Sequence, residues 1–248
     1  MYIRVLNRKI HYKRLGNGVP LLFVHGWGSN MYKLHTLAQL ASKNFSSYII
    51  DLPGFGKSDN PAQHWGIEGY AVMMKELIEK LKLKKTHYIG HAFGSDIGIY
   101  LSSHYPDYIE RLVVCSSSYR RHNKVSKPVQ MMKQIPRERS LIKLLYKPVR
   151  SLYYSLFHKD SDLLKFPHLE KNFRKIIAQD LTQELSRVKT KTLILWGEND
   201  TCTPVILGYE LHRKVRRSTL YVFPDTTHDF PSDEPHLVWK EIKPFLLT

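Results

Sequence analysis

The sequence predicts an α/β fold, in which a mostly parallel sheet is flanked by helices on both faces and a helical segment is inserted. Short apolar runs alternate with segments of helical spacing from Pro20 to Cys115, a pattern typical of parallel strands joined by helices. The alternation stops at Ser116 and resumes at Lys191. A length of 248 residues, 42% of them hydrophobic, suits one packed domain with an inserted lobe.

The first half of the chain supplies most of the predicted sheet. It opens with two runs around Asn7 and Arg8 that predict a β-hairpin. The run at 20–26 ends in glycine and has the continuous apolar character of a strand buried on both faces. We expect strands at 2–6, 9–15, 20–26, 45–51, 87–90 and 111–115, and helices at 31–41, 67–81 and 93–105.

The second half begins with the inserted segment. Residues 119–183 have helical character and no strand-like run, and prolines divide them into short helices. Strands are then expected at 191–196 and 219–223, and helices at 205–215 and 235–247. We therefore predict a core domain of residues 1–118 and 186–248 with a helical cap of residues 119–185.

Composition excludes several classes of protein. No apolar stretch approaches the roughly 20 residues that span a bilayer, and the first ten residues contain no signal-peptide core. We expect a soluble, cytoplasmic protein. The two cysteines, Cys115 and Cys202, cannot form a disulfide framework and match no metal-ligand spacing, so no metal site is expected.

The most specific segment is YIGHAFGSDIG, from Tyr88 to Gly98. A predicted strand enters Gly90-x-x-x-Gly94 and continues into a helix, which is the context of a nucleophile elbow. Here the chain resembles the α/β-hydrolase superfamily, and the resemblance covers essentially its whole length. The other matching segments are HGWGS at 25–29, DLPGFGKSD at 51–59, WGENDTCTP at 196–204 and FPDTTHDF at 223–230.

One departure from the family pattern matters most. The pattern is G-x-S-x-G, but Ala92 holds the nucleophile position, and a methyl group cannot attack a carbonyl. Ser95, three residues on, is a poor substitute because it lies nearly one helical turn away. Either an introduced change replaced serine at position 92, or the protein is a natural pseudoenzyme. Retention of the other site residues favours a deliberate or recent replacement.

The resemblance implies the rest of the site. It places the catalytic acid at Asp200 and the catalytic histidine at His228, each after a predicted strand. It takes the oxyanion-hole N–H groups from Trp27 and Phe93. The substrate pocket would include His25, Gly26, Gly28 and His91, although a hydrogen-bonded loop anchor is the preferred interpretation of His25. Asp51 is likewise interpreted as a backbone anchor.

The reaction expected from the resemblance is hydrolysis of a carboxylic ester through a Ser-His-Asp triad, which needs no cofactor. The small-molecule substrate would be an ester or another apolar acyl compound. A C–C bond hydrolase of the same fold and a non-catalytic ligand-binding protein remain alternatives, and cofactor-free dioxygenases are more remote. Dehalogenases and epoxide hydrolases are disfavoured, because they carry aspartate at the elbow. Acyl length and oligomeric state are left open.

The formal net charge of +16 suggests an anionic partner, but its distribution narrows the choice. Between Tyr119 and Asp180 there are 15 Lys and Arg against 5 Asp and Glu, which accounts for ten of the sixteen charges. This basic segment could be an ordinary cap, a surface for weak contact with an anionic membrane, or a selector for anionic substrates. No nucleic-acid-binding motif is present, so nucleic acid is not an expected partner.

Overall fold

The computed structural model describes residues 1–120 and 165–248. The predicted cap falls largely on residues 121–164, which lie outside the described residues, so the cap stays a prediction. No helix within the two described ranges is long and apolar enough to cross a membrane.

Eight strands in the described part of the chain form a single sheet in the order β1-β2-β4-β3-β5-β6-β7-β8. The first two pairs, β1 with β2 and β2 with β4, are antiparallel, and every other neighbouring pair is parallel. The strands are β1 Tyr2–Val5, β2 Arg8–Leu15, β3 Val19–Val24, β4 Phe45–Ile50, β5 Thr86–His91, β6 Ile109–Cys115, β7 Lys191–Gly197 and β8 Ser218–Phe223.

The α-helices are numbered here through the described residues only. They are α1 His35–Ala41, α2 Ile67–Lys80, α3 Phe93–His104, α4 Glu170–Ala178, α5 Thr182–Leu185, α6 Ile206–Lys214, α7 Phe230–Asp233 and α8 Pro235–Leu247. Short 3-10 helices occupy Met31–Leu34, Pro106–Tyr108 and Pro167–Leu169.

Helices cover both faces of the sheet, as predicted. Successive residues of a strand point to opposite faces, so Leu22 and Phe23 of β3 belong to two different apolar layers. One layer joins the sheet to α2, α3 and α6, and the other joins it to α1 and α8. The strands between these layers are buried on both faces, and all six residues of β4 and of β5 are buried.

The predicted mostly parallel sheet flanked by helices is confirmed, with differences at element boundaries. The helix expected at 31–41 is divided, because Met31–Leu34 forms a 3-10 turn before α1 begins. The Asn30 side chain caps that turn by accepting a hydrogen bond from the Tyr32 N–H group at 3.0 Å. The hairpin between β1 and β2 turns through Leu6 and Asn7, which both have positive φ angles (46° and 59°).

Candidate active site

Ala92 lies on the turn between β5 and α3, with φ 48° and ψ −113°. Only glycine adopts such positive φ angles without strain, and a non-glycine residue held there costs on the order of 1–3 kcal/mol. The Ala92 N–H group donates to the Cys115 carbonyl oxygen at 2.9 Å, which ties the turn to the neighbouring strand β6. The elbow geometry expected from the sequence is therefore present, with a methyl group at its tip.

Two glycines flank this turn because backbones approach each other closely there. A Cβ atom on Gly94 would lie 2.1 Å from the Val24 carbonyl oxygen at the end of β3. A Cβ atom on Gly90 would lie 2.4 Å from the Gly94 carbonyl oxygen. Neither position can hold a larger residue unless the backbone moves.

The carboxylate of Asp200 and the imidazole of His228 form a direct pair. His228 Nδ1 lies 2.8 Å from Asp200 Oδ2, and the Asp200 side chain is fully buried whereas that of His228 is 21% exposed. The carboxylate can only accept, so the proton of this hydrogen bond belongs to His228 Nδ1. His228 Nε2 is therefore left as the basic nitrogen.

Asp200 accepts four further hydrogen bonds, which hold its orientation. Its Oδ2 atom accepts from Ser116 Oγ and from Thr203 Oγ1, both at 2.8 Å, and its Oδ1 atom accepts from the N–H groups of Cys202 (2.9 Å) and Thr203 (2.8 Å). Burial by itself would raise the pKa of Asp200. The hydrogen bonds from His228, Thr203 and Ser116 outweigh burial and hold that pKa below its ordinary value.

Ser116 and Thr203 are site residues that sequence reasoning missed. Ser116 is the residue after β6 and has φ 49°, so its hydroxyl reaches a carboxylate 84 positions further along the chain. Only the pairing of β6 with β7 brings the two together. Thr203 could have been found, because a hydroxyl three residues after the expected acid suits a local turn around that acid.

His91, the last residue of β5, forms a hydrogen bond with the backbone of His228. Its Nε2–H group donates to the His228 carbonyl oxygen at 2.9 Å, and the two rings are 4.9 Å apart. Burial, and then the charge of His228, lower the pKa of His91 to about 4, so His91 is neutral at physiological pH. It positions the backbone that carries His228 and is itself almost fully buried.

The two expected oxyanion donors are backbone N–H groups close to the elbow. Among the described residues, neither the Phe93 N–H group nor the Trp27 N–H group has a hydrogen-bond acceptor. Phe93 begins α3, where the first backbone N–H groups of a helix are unpaired. A Cβ atom on Gly26 would lie 3.2 Å from the Ala92 Cβ atom, which places the loop that carries Trp27 directly against the elbow.

Aromatic side chains line the region around Trp27, next to the elbow. The Trp27 ring lies 4.9 Å from Phe55, 5.6 Å from Phe93 and 5.2 Å from Phe173, and Phe166 lies 5.2 Å from Phe55. Phe166 and Phe173 belong to the described end of the predicted cap. The Trp27 Nε1–H group is buried and has no acceptor among the described residues. The surroundings of the elbow are thus apolar, with unpaired N–H donors.

Three other residues singled out in the sequence hold loops in place. His25 is fully buried, and its Nε2 atom accepts from the Leu52 N–H group at 3.0 Å while its Nδ1–H group donates to the Gly26 carbonyl oxygen at 2.7 Å. Burial lowers the pKa of His25 to about 4. Asp51 accepts from the Met31 N–H group, and Gly28 has φ 72° in the loop after Trp27.

Ser95 is not placed to act as a nucleophile. Its hydroxyl is completely buried and lies 2.7 Å from the Gly90 carbonyl oxygen and 3.1 Å from that of Cys115. It also accepts from the Cys115 N–H group at 3.1 Å. These contacts fasten the first turn of α3 to β5 and β6.

One group of residues in the described ranges has side-chain donors close enough for a metal ion. Atoms of Asp200, Cys202 and His228 lie within 4.8 Å of one another. Both oxygens of Asp200 already accept protein hydrogen bonds, and His228 Nδ1 carries a proton toward that carboxylate. A metal here would have to displace the pair, so the arrangement as it stands favours proton transfer over metal binding.

Known proteins resemble this chain in sequence and in fold. The family model described as "alpha/beta hydrolase fold" matches residues 19–140. An uncharacterized hydrolase of Bacillus subtilis, YugF, is 25% identical over 95% of this chain and 92% of its own length. The 2-hydroxy-6-oxononadienedioate/2-hydroxy-6-oxononatrienedioate hydrolase 1 of Pseudomonas putida is 25% identical over 90% of this chain and 86% of its own length.

A solved structure matches the fold over the whole chain. The enol-lactonase of Burkholderia xenovorans LB400 superposes with a TM-score of 0.79 at 21% identity, covering 100% of both chains. At this identity the likeness concerns the fold, which is the α/β-hydrolase fold. The relatives and the structural neighbour are hydrolases by name, while the residues that perform chemistry in this chain must be argued from its own geometry.

Proposed function

We propose that this chain, whose fold and relatives support the α/β-hydrolase superfamily, carries the machinery of a serine-type hydrolase for carboxylic esters, with alanine in place of the nucleophile. The observation that carries the proposal is the Asp200–His228 pair at 2.8 Å, in which the carboxylate is saturated with hydrogen bonds and the imidazole keeps Nε2 free. A group built this way serves as a general base.

With serine at position 92, each group has a defined role. His228 Nε2 takes the proton of the serine hydroxyl as its oxygen bonds to the ester carbonyl carbon, and the carbonyl oxygen becomes an oxyanion. The N–H groups of Trp27 and Phe93 donate to that oxyanion. The proton then passes from His228 to the departing alcohol as the C–O bond breaks. Water later attacks the acyl-enzyme by the same route and releases the acid.

We further infer that Ala92 replaces a serine. The backbone strain at φ 48° serves to present a side chain at the tip of the elbow, and a methyl group there makes no use of it. Glycine would relieve the strain if the position had no function. Retention of the strained turn, the paired His228 and the unpaired N–H donors is consistent with a recent or introduced change. A natural pseudoenzyme that binds its ligand without turnover is the alternative.

The lining of the site favours an ester as the substrate, because apolar rings surround two backbone N–H groups that have no acceptor in the described chain. That combination suits an acyl group with one carbonyl oxygen. The enol-lactonase shares the fold over the whole chain and acts on a cyclic ester by its name. C–C bond hydrolysis is the second candidate, since the Pseudomonas putida relative covers 90% of this chain. We assign residues 119–185 to a cap over the site, supported by the contact of Phe173 with Trp27.

The test is the Ala92→Ser substitution, assayed against esters of increasing acyl length together with a vinylogous ring-fission diketone as the C–C substrate. We expect ester hydrolysis to rise by about 10⁶-fold over the parent chain, because loss of the nucleophilic serine costs on the order of 10⁶ in kcat in serine hydrolases. The Ala92→Ser variant should also be labelled covalently by a fluorophosphonate.

The matched control is the same variant with His228→Ala, which should lose both hydrolysis and labelling while keeping its fold. Cleavage of the C–C substrate in preference to every ester would assign the second candidate. Absence of both labelling and hydrolysis of any substrate in a folded Ala92→Ser variant would overturn the enzyme proposal.

A further inference from the structure

A cavity of about 290 Å³ lies at the opposite end of the sheet from Ala92. The residues around it come from the amino ends of four neighbouring parallel strands, β5 to β8, whereas the catalytic candidates follow the carboxyl ends of the same strands. Its lining is Lys85, Pro106, Asp107, Ile109, Glu110, Arg111, Lys189, Thr190, Lys191 and Arg217.

Positive charge dominates this lining, with five cationic side chains against two carboxylates. One cation is neutralised, because Lys85 forms an ion pair with Glu110 at 3.1 Å. Among the described residues, no carboxylate lies within ion-pair distance of the other four, Arg111, Lys189, Lys191 and Arg217. Cations that converge with too few counter-charges repel one another unless an anion joins them.

Arg111, the third residue of β6, contributes a guanidinium group to the lining of the cavity. Its Nη1 atom is buried and has no hydrogen-bond partner in the described part of the chain. The guanidinium is held over the Phe245 ring at 5.5 Å, and the Lys191 ammonium lies 5.8 Å from the same ring. A buried guanidinium N–H group without an acceptor is destabilising, so a shift of the Arg111 side chain that lets a bound anion accept from Nη1 would favour binding.

The positive charge of Arg111 also affects His87, its neighbour in β5. Burial, and then the charge of Arg111, lower the pKa of His87 to about 4, so the imidazole is neutral and adds no further positive charge. The Nδ1 atom of His87 is buried and has no hydrogen-bond partner among the described residues. Arg111 Nη1 and His87 Nδ1, both at this end of the sheet, therefore lack protein partners in the described chain, in contrast to the saturated carboxylate of Asp200.

We propose that this cavity is a binding site for a phosphate group. A phosphate carries up to two negative charges and several acceptor oxygens, which matches a planar guanidinium donor surrounded by ammonium groups. A single carboxylate would leave most of these cations unpaired. The cavity is concave, and the described residues of its lining include no aromatic side chain for a base to stack on, which favours a compact phosphate over a nucleic-acid strand.

The test is titration of the full chain with inorganic phosphate and with pyrophosphate at low ionic strength, followed by calorimetry and by amide chemical shifts. We expect saturable binding, with shifts at the amino ends of β6 and β7, that weakens about tenfold or more in Arg111→Gln. Arg217→Gln provides a second variant at an exposed position in case Arg111→Gln does not fold. Lys43→Gln is the control, since it removes one exposed charge elsewhere.

Two outcomes would overturn the proposal. One is no saturable binding of either anion, and the other is an equal loss of affinity in Arg217→Gln and Lys43→Gln, which would indicate only a general effect of net charge. Vesicles containing phosphatidic acid distinguish the two sources of the phosphate group. If inorganic phosphate releases the chain from such vesicles, the site accepts a lipid headgroup, and if the chain binds free phosphate but not the vesicles, the ligand is a soluble phosphate compound.

Discussion

The two ends of the parallel strands place polar groups in opposite ways. At the carboxyl ends, Asp200 accepts five hydrogen bonds and its partner His228 is held from behind by His91. At the amino ends, Arg111 and three other cations converge with no carboxylate partner in the described chain. At the carboxyl ends, hydrogen bonds fix the positions of the functional groups, whereas at the amino ends the common feature is unpaired positive charge.

Backbone strain follows the same division. Ala92 and Ser116, the residues that follow β5 and β6, have φ angles of 48° and 49°. None of the residues that line the cavity at the amino ends has a positive φ angle. Strained turns at the carboxyl ends are needed to aim particular atoms, while an anion held by flexible lysines and arginines needs no such aim. The two ends should therefore respond differently to substitution.

The largest difference is expected for substitutions that test backbone fit. Gly94→Ala places a Cβ atom 2.1 Å from the Val24 carbonyl oxygen, so α3 or β3 must move. We expect the free energy of unfolding to fall by about 3 kcal/mol, as for overpacked cores. Lys189→Ala at the other end removes an exposed side chain and should change it by less than about 0.5 kcal/mol. Urea unfolding of both variants measures the contrast, and equal losses would refute it.

The contrast also explains what could be predicted from sequence. The alternation of apolar runs predicts the sheet and its two helical layers, because the continuous apolar sequence of a strand indicates by itself that both of its faces are buried. The motifs predict where Asp200 and His228 stand, because each lies within five residues of the end of a strand. The contact of Ser116 with Asp200 could not be predicted, since it depends on β6 and β7 being neighbours despite 75 intervening residues.

The cavity was missed for the same reason. Its cations lie at positions 85, 111, 189, 191 and 217, and only the order of strands in the sheet brings them together. The distribution of charge along the chain makes the segment at 119–180 the candidate for contact with an anion, because most of the net charge lies there. Net charge in a segment measures composition, while a binding site depends on which charges meet in space and lack partners.

Removing a buried hydroxyl should cost more free energy of unfolding at Ser116, where the hydroxyl has a charged partner, than at Ser102, where it has none in the described chain. Ser116→Ala removes the hydrogen bond to Asp200 Oδ2 and should lower the free energy of unfolding by about 1.5–3 kcal/mol at pH 7, as for bonds to charged groups. Ser102→Ala, on α3, removes a buried hydroxyl with no partner in the described chain and should lower it little or not at all. Equal losses in the two variants would argue against a special role of the Asp200 network.

The pH dependence of that loss identifies Asp200 as its cause. The native pKa of Asp200 is lowered, so its ionisation stabilises the fold above the unfolded value of about 3.9, and this contribution disappears as the pH falls through the native pKa. Ser116→Ala raises the native pKa and reduces the contribution. The unfolding free energies of parent and Ser116→Ala should therefore differ fully at pH 7 and converge as the pH falls below about 4. A difference that is constant with pH would exclude this explanation.

The smallest expected effect isolates the strain at the elbow itself. Ala92→Gly relieves the cost of a positive φ angle but adds flexibility to the unfolded chain, so we expect a net gain of about 1 kcal/mol in the free energy of unfolding. Ala71→Gly, buried within α2, should instead lose about 1 kcal/mol, because glycine disfavours a helix and no strain is relieved. Opposite signs for the same chemical change would locate the strain at position 92. A loss at both positions would mean that the turn holds Ala92 without strain, and that no strained backbone is kept there to present a nucleophile.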